Sequence, residues 1–377
     1  MKKIQMLDLG TQYLNIQTEI DNAIKRVIDS AQFIRGNEVE SFEKELAEYL
    51  GVKNVIACGN GTDALQIALM SLDLDKGDEV ICPSFSFISG AEVTGLLGLS
   101  PVFVDVDYDS FLTTKEHILK AITNKTKVII PVHLFGQGVE MEEIIKIAKQ
   151  YNLYIIEDNA QALGADYSFS NGEKKKLGTI GNIGCTSFFP SKNLGCYGDG
   201  GAVFTNDDNL AERIRLIANH GMKKKYSHER IGVNSRLDSL QAAILREKLK
   251  HLDEYIFARQ QAAKYYTDNL SSCTGIVLPK QVGYCEHSYH QYTIKVLNNQ
   301  RDALKDYLQQ KDIPTAIYYP QALHKQQAFA TIQSNKQAIE VSEQLCNQVL
   351  SLPMHTELCI EQLEYIVKSI KQFFEEQ

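Results

Sequence analysis

The sequence predicts an α/β fold: a mostly parallel, seven-stranded sheet between helices, followed by a small C-terminal α+β domain. Three observations carry this. Short apolar runs rich in β-branched residues recur at NVIAC, EVICP, PVFVDV, KVIIPV, LYIIED, CTSFF and GAVFT, and helix-like stretches separate most of them. Many of the runs are continuously apolar rather than alternating, the pattern of strands buried on both faces. At 377 residues, the chain also exceeds the ~250 to 300 at which a single core stops growing. In such a sheet, ligands belong at the carboxyl ends of the strands.

The opening MKKIQMLDLGTQYL holds two lysines but no apolar run of signal-peptide length. No later window approaches the ~18 apolar residues of a membrane span, so a cytoplasmic protein without a membrane partner is expected. NEVESFEKELAEYLG reads as an amphipathic helix with Asn37 as N-cap and Gly51 just past its end. After the last apolar run, Arg236–Leu270 keeps helical periodicity too long for one compact-domain helix and is expected to bend. The domain boundary is placed near its middle, giving residues 1–250 to the large domain and 251–377 to the small one. There YHQYTIKVL reads as a strand, RDALKDYLQQ as a helix, and two more helical segments follow.

A net charge of −8 argues against a nucleic-acid or membrane-surface binder, because those partners reward a basic surface. A small anionic substrate remains compatible with a local basic patch, and Lys223, Lys224 and Lys225 form one such run, although a solvated loop is the plainer reading. Eight cysteines without a CxxC pair fit a reducing compartment, and Cys58, Cys82 and Cys185 sit in apolar runs as packing residues.

Five segments carry chemistry. In ACGNGTDALQIAL a strand ends, a glycine turn follows and a helix begins at about Thr62, which aims backbone N–H groups at an anion. Gly59 and Gly61 permit close approach, although a simple helix cap at Asn60 or Thr62 is the commoner outcome for such a segment. PSFSF sets Phe85 and Phe87 at a strand end, where an aromatic can lie on a planar ring or simply join the core. LYIIEDNAQALGA delivers Glu157, Asp158 and Gln161 to the ligand-binding edge. A carboxylate there needs a partner, such as the pyridine nitrogen of pyridoxal 5'-phosphate (PLP), a structural arginine or a helix N-terminus. In CTSFFPSKNLGCYGDGGAVFTND, Lys192 lies between two buried strands, where desolvation lowers its pKa and frees the amine as a nucleophile. Ser187 and Ser191 add hydroxyls at the same corner. GVNSRLDSLQAAIL sets Asn234 and Arg236 before a helix, with Asp238 as a structural partner for the arginine.

In this order the five segments resemble the DegT/DnrJ/EryC1/StrS family of sugar aminotransferases. The resemblance spans nearly the whole chain, from IQMLDLGTQY through FIRGNEVESFEKELAEYLG to IPTAIYYPQALHKQQAF and LSLPMHTEL, and SFFPSKNLGCYGDGGA is its most specific block. It implies the aspartate-aminotransferase (type I) PLP fold, with PLP in a Schiff base on Lys192. It also implies that Asp158 serves the pyridine nitrogen, Gln161 the phenolic oxygen and Phe87 the ring face. Gly61, Thr62 and Ser187 match the family's phosphate cup, and Asn234 matches an asparagine lent by the neighbouring subunit, so a homodimer with shared active sites is implied. The runs CTSFFPSK and GCYGDGGA are similar to those of enzymes that aminate UDP-linked 3-keto N-acetyl sugars, including uronic acids. Tyr318-Tyr319-Pro320 departs from the HYP of many relatives where the sugar is expected.

The candidate substrate contacts are therefore Arg236, Tyr318, Tyr319 and His324, with His287, Tyr289 and His290 nearby. The histidine spacing matches no zinc motif, so no metal is expected. The resemblance implies that L-glutamate donates the amino group, and that Lys192 tethers the cofactor and then moves the proton. It further implies a nucleotide-linked ketosugar as acceptor, serving surface-glycan (lipopolysaccharide, O-antigen) synthesis. A dTDP-linked 3- or 4-keto-6-deoxy sugar is the alternative acceptor. A non-catalytic PLP-binding regulator and a PLP aldolase or lyase are the competing classes.

Overall fold

A computed structural model of the chain describes residues 2–331 and 338–376. In chain order its strands are β1 (Asn54–Cys58), β2 (Glu79–Pro83), β3 (Ser100–Val104), β4 (Thr126–Ile129), β5 (Tyr154–Asp158), β6 (Asp166–Ser168), β7 (Lys174–Lys176), β8 (Ile183–Ser187) and β9 (Gly201–Thr205). Seven of these form one sheet in the order β1-β9-β8-β5-β4-β2-β3. Pairings among β2, β3, β4, β5 and β8 are parallel, whereas β9 runs antiparallel to both neighbours, β8 and β1. Each of the seven apolar runs of the sequence overlaps one of these strands.

Burial on both faces follows from the pleat, which points successive side chains in opposite directions. In β2, Val80 and Cys82 enter one hydrophobic cluster while Ile81 enters another, and in β5 Ile156 and Ile155 divide in the same way. Each such fully buried aliphatic side chain stabilises the fold by about 1.5 to 3 kcal/mol. Cys58, Cys82 and Cys185 are free and buried, as packing residues should be.

The helix Asn37–Leu50 ends as expected at Gly51 (φ 66°), but its N-cap is Gly36 rather than Asn37. Residue 36 is extended there (φ −86°, ψ 179°) and has no room for a side chain, since a Cβ on Gly36 would lie 3.0 Å from the carbonyl of Gln32 and 3.2 Å from Ser239 Oγ. The long periodic stretch divides into helices Ser239–Leu249 and Leu252–Leu270, interrupted at Lys250 and His251. Beyond it β12 (Ile276–Val277), β13 (Tyr292–Val296) and β14 (Val349–Leu352) form a three-stranded antiparallel sheet. Helices Arg301–Gln310 and Ile360–Glu375 pack on it, and Ile4 from the chain start joins the same cluster. Among the described residues, no helix is long and apolar enough to cross a membrane.

Candidate active site

A cavity of about 810 Å³ opens at the carboxyl ends of β5 and β8 and collects Lys192, Asp158, Gln161, Ser187, Gly61 and Thr62. Lys192 sits in the β8–β9 connection. Its N–H donates to the carbonyl of Phe189 (2.8 Å), and the next turn closes where Cys196 N–H donates to the carbonyl of Phe188 (2.8 Å). Lys248 braces this loop from the helix below, donating from Nζ to the carbonyl of Gly195 (2.5 Å). Desolvation pulls the Lys192 amine down to about 8, with Asp158 opposing the shift.

The two adjacent carboxylates divide, because neighbouring residues of a strand face opposite ways. Glu157 does not reach the cavity. It accepts from His133 Nε2 (2.9 Å) and from the N–H groups of Gly178 (2.9 Å), Ile180 (2.7 Å) and Gly181 (2.5 Å), which fix the turn before β8. Asp158 faces the cavity, forms no ion pair among the described residues, and accepts only from Ala160 N–H (3.1 Å). Burial pushes its pKa up, against that hydrogen bond, Lys192 and His133.

The helix Gly61–Met70 aims its amino end at the same space. Asn60 Oδ1 caps Asp63 N–H (2.8 Å), and Thr62 Oγ1 pairs with Ser89 Oγ (2.9 Å). Gly61 is required by proximity, since a Cβ there would stand 2.7 Å from that of Ser187. Ser187 Oγ accepts from Phe189 N–H (3.2 Å). Of the two phenylalanines, Phe85 is core, 1% exposed, whereas Phe87 is 58% exposed and lines the cavity. Gln161 is pinned between Phe135 N–H (to Oε1, 2.7 Å) and Tyr319 Oη (from Nε2, 3.1 Å). Tyr318 and Tyr319 both line the cavity.

Other candidates lie elsewhere in the same chain. His324 is not on the cavity wall; Ser84 Oγ holds its Nδ1 (2.7 Å) and Glu343 its Nε2 (3.0 Å). Arg236 lines a separate cleft with Arg35 and Arg215, and no ion pair joins it to Asp238 among the described residues. Asn234 is exposed and also outside the cavity, while its neighbour Ser235 clasps the cup by accepting from Gly59 N–H (2.9 Å) and donating to Asp63 (2.6 Å). Lys223 and Lys224 belong to an exposed hairpin, with Lys223 paired to Glu212 and Glu229. His287 stacks on Tyr289 (centroids 3.8 Å) away from the lining, which His290 joins. Sequence reasoning missed Ser89, Phe135 and Asp199. Only Asp199 had a signal, its place in the glycine-rich run after Lys192.

Residues 14–371 match the DegT/DnrJ/EryC1/StrS aminotransferase family. The chain belongs to that family. It is 44% identical over 373 residues, 98% of either chain, to the pleiotropic regulatory protein of Geobacillus stearothermophilus. To the UDP-2-acetamido-2-deoxy-3-oxo-D-glucuronate aminotransferase of Pseudomonas aeruginosa it is 44% identical over 367 residues, 97% of this chain and 99% of the other. The crystal structure of S. venezuelae DesV in complex with a ketimine intermediate superposes with a TM-score of 0.94 at 37% identity, covering 100% of this chain and 99% of that one.

The site of this DegT/DnrJ/EryC1/StrS family member fits PLP. It offers an amine of lowered basicity, a buried carboxylate without an ion-pair partner, and a helix amino end kept open by Gly61. Among the described residues, no three His, Cys, Asp or Glu side chains gather where a metal ion could be held.

Proposed function

We propose that the enzyme transfers an amino group from L-glutamate to a nucleotide-linked ketosugar. The acceptor is a UDP-linked 3-keto N-acetyl hexose or uronic acid, feeding surface-glycan synthesis in the cytoplasm. The observation that carries the reading is Lys192, its pKa lowered to about 8, sharing a cavity with the buried Asp158. PLP, when bound, supplies the electron sink that stabilises a carbanion. Lys192 would hold the cofactor, and its Nζ would move the proton at the substrate carbon. Asp158 keeps positive charge on the ring nitrogen, the amino end of helix Gly61–Met70 with Thr62 and Ser187 binds the phosphate, and Phe87 covers the ring face. Gln161, oriented by Phe135 and Tyr319, contacts the ring oxygen.

The likeness to the P. aeruginosa enzyme supports a UDP-linked acceptor, and Tyr318 and Tyr319 on the cavity wall are the sugar contacts of this reading. Asn234, exposed and off its own cavity, supports a homodimer in which it completes the partner's phosphate cup. Residues 1–250 then carry the cofactor and 251–377 the smaller domain, a division supported by the helix break at Lys250 and His251.

A regulator without turnover has the name of the Geobacillus relative in its favour. The assembled catalytic groups favour the enzyme. Amino-sugar nucleotides offered with 2-oxoglutarate test the substrate class. UDP-linked 3-amino N-acetyl sugars are expected to give the highest kcat/KM; a dTDP-linked 4-amino-6-deoxy sugar turned over better would overturn it.

A further inference from the structure

His290 reaches the Lys192 cavity from the carboxyl-terminal part of the chain, just before β13. It is 5% exposed, and its Nδ1 has no hydrogen-bond partner. Its main chain is held from behind, where Arg259 Nη1 donates to the carbonyls of Tyr289 (3.3 Å), His290 (3.4 Å) and Met354 (3.0 Å). Arg259 is 2% exposed, its Nε is unpartnered, and it enters no ion pair among the described residues. A buried guanidinium without a carboxylate makes that side of the wall positive and receptive to an anion. Burial, reinforced by the charges of Lys192 and Arg259, holds the His290 imidazole far below its usual pKa. The ring is therefore neutral and offers one donor and one acceptor nitrogen.

The rest of the lining makes this donor significant. Within one chain and among the described residues, Asp63, Asp158 and Asp199 contribute carboxylates to the lining, and Lys192 is its cation. An α-amino acid whose nitrogen meets Lys192 Nζ brings its carboxylate carbon within about 2.5 Å of that nitrogen by bond lengths alone. The diphosphate of a sugar nucleotide lies several bonds further from a 3-amino group. The anion arriving beside Lys192 is thus the donor's, not the acceptor's.

We infer that His290 hydrogen-bonds the α-carboxylate of the amino-acid donor, and that Arg259 is a positioning residue that fixes the His290 main chain and adds charge behind it. The inference rests on the aminotransferase reading above. Holoenzyme mixed with L-glutamate, and separately with a UDP-linked 3-amino N-acetyl hexose, gives each half-reaction by its visible absorbance change. His290→Leu raises the half-saturating glutamate concentration at least about tenfold, the effect of one hydrogen bond to a charged group. The limiting rate, the resting cofactor absorbance and the half-saturating amino-sugar concentration stay within about threefold, because Lys192 and Asp158 are untouched. His290→Asn, which keeps a donor, recovers most of the loss; Arg259→Met reproduces it and Arg259→Lys recovers part.

Equal losses in both half-reactions, a shifted cofactor spectrum with normal glutamate saturation, or no effect of His290→Leu each overturn the inference. Should His290→Leu not fold, His290→Ala and Arg259→Met bear the same comparison. A wild-type enzyme that ignores glutamate but accepts another amino acid sinks the glutamate assignment alone, and the His290 comparison is then made with that amino acid.

Discussion

Lys192 Nζ acts as a nucleophile only when unprotonated, so its lowered basicity has a measurable sign. The folded chain releases that proton near pH 8 instead of the ordinary 10.5, and a larger share of amine is free at neutral pH. Covalent capture of added PLP by apoenzyme should therefore rise with pH to a midpoint near 8; a midpoint close to 10.5 would mean that the amine is solvated. If Asp158 serves the ring nitrogen as proposed, Asp158→Asn should lower kcat by about 10²-fold or more while cofactor remains bound. Unchanged kcat would assign Asp158 to structure. Lys192 and Asp158 were legible in the sequence because Asp158 ends a buried strand and Lys192 follows one, where a charged group needs a purpose. Their neighbours were harder. Glu157 and Phe85 share the same motifs but face away from the cavity, and His324 is claimed by Ser84 and Glu343, partners 240 and 19 residues distant.

At the level of elements, the seven strands could be read because both-face burial leaves a continuous apolar signature. The three-residue strands β6, β7 and β10 (Met222–Lys224) carry no such signature, since β7 and β10 are lysine-rich runs at the surface and β6 buries only Tyr167. β14 escaped notice because it follows the helix Glu340–Gln348 without an intervening turn. The proposed phosphate cup depends on how closely β9 meets the turn before helix Gly61–Met70. A Cβ on Gly201 would lie 2.4 Å from the backbone carbon and oxygen of Asn60, which cannot yield as a side chain can. Gly201→Ala should lower unfolding free energy by about 1 to 3 kcal/mol and weaken PLP retention together. Denaturant unfolding alongside cofactor titration checks the coupling, and normal cofactor affinity in the variant would separate the strand from the cup.

For the whole molecule, the sequence could place Lys192, Asp158 and the Gly61 turn in one site only through the resemblance, since residues 61, 158 and 192 meet by topology and not by proximity in the chain. Asn234 raises the same issue one level higher, because it is exposed and lies off the Lys192 cavity of its own chain. If it completes the partner's cup, mixing Lys192→Ala and Asn234→Ala subunits rebuilds one native site in each mixed dimer. Random reassociation should then restore about a quarter of wild-type activity from two inactive proteins. No recovery, with mixed dimers verified by mass, would return Asn234 to its own chain. Whether Lys192 carries the aminotransferase chemistry of this chain is decided by the glutamate half-reaction. Adding L-glutamate to purified holoprotein should replace the visible absorbance of the Lys192-linked cofactor with that of pyridoxamine phosphate and release 2-oxoglutarate. Lys192→Ala should bind PLP without that link and show no turnover. A wild-type spectrum unmoved by any amino donor, or transamination retained by Lys192→Ala, would contradict it.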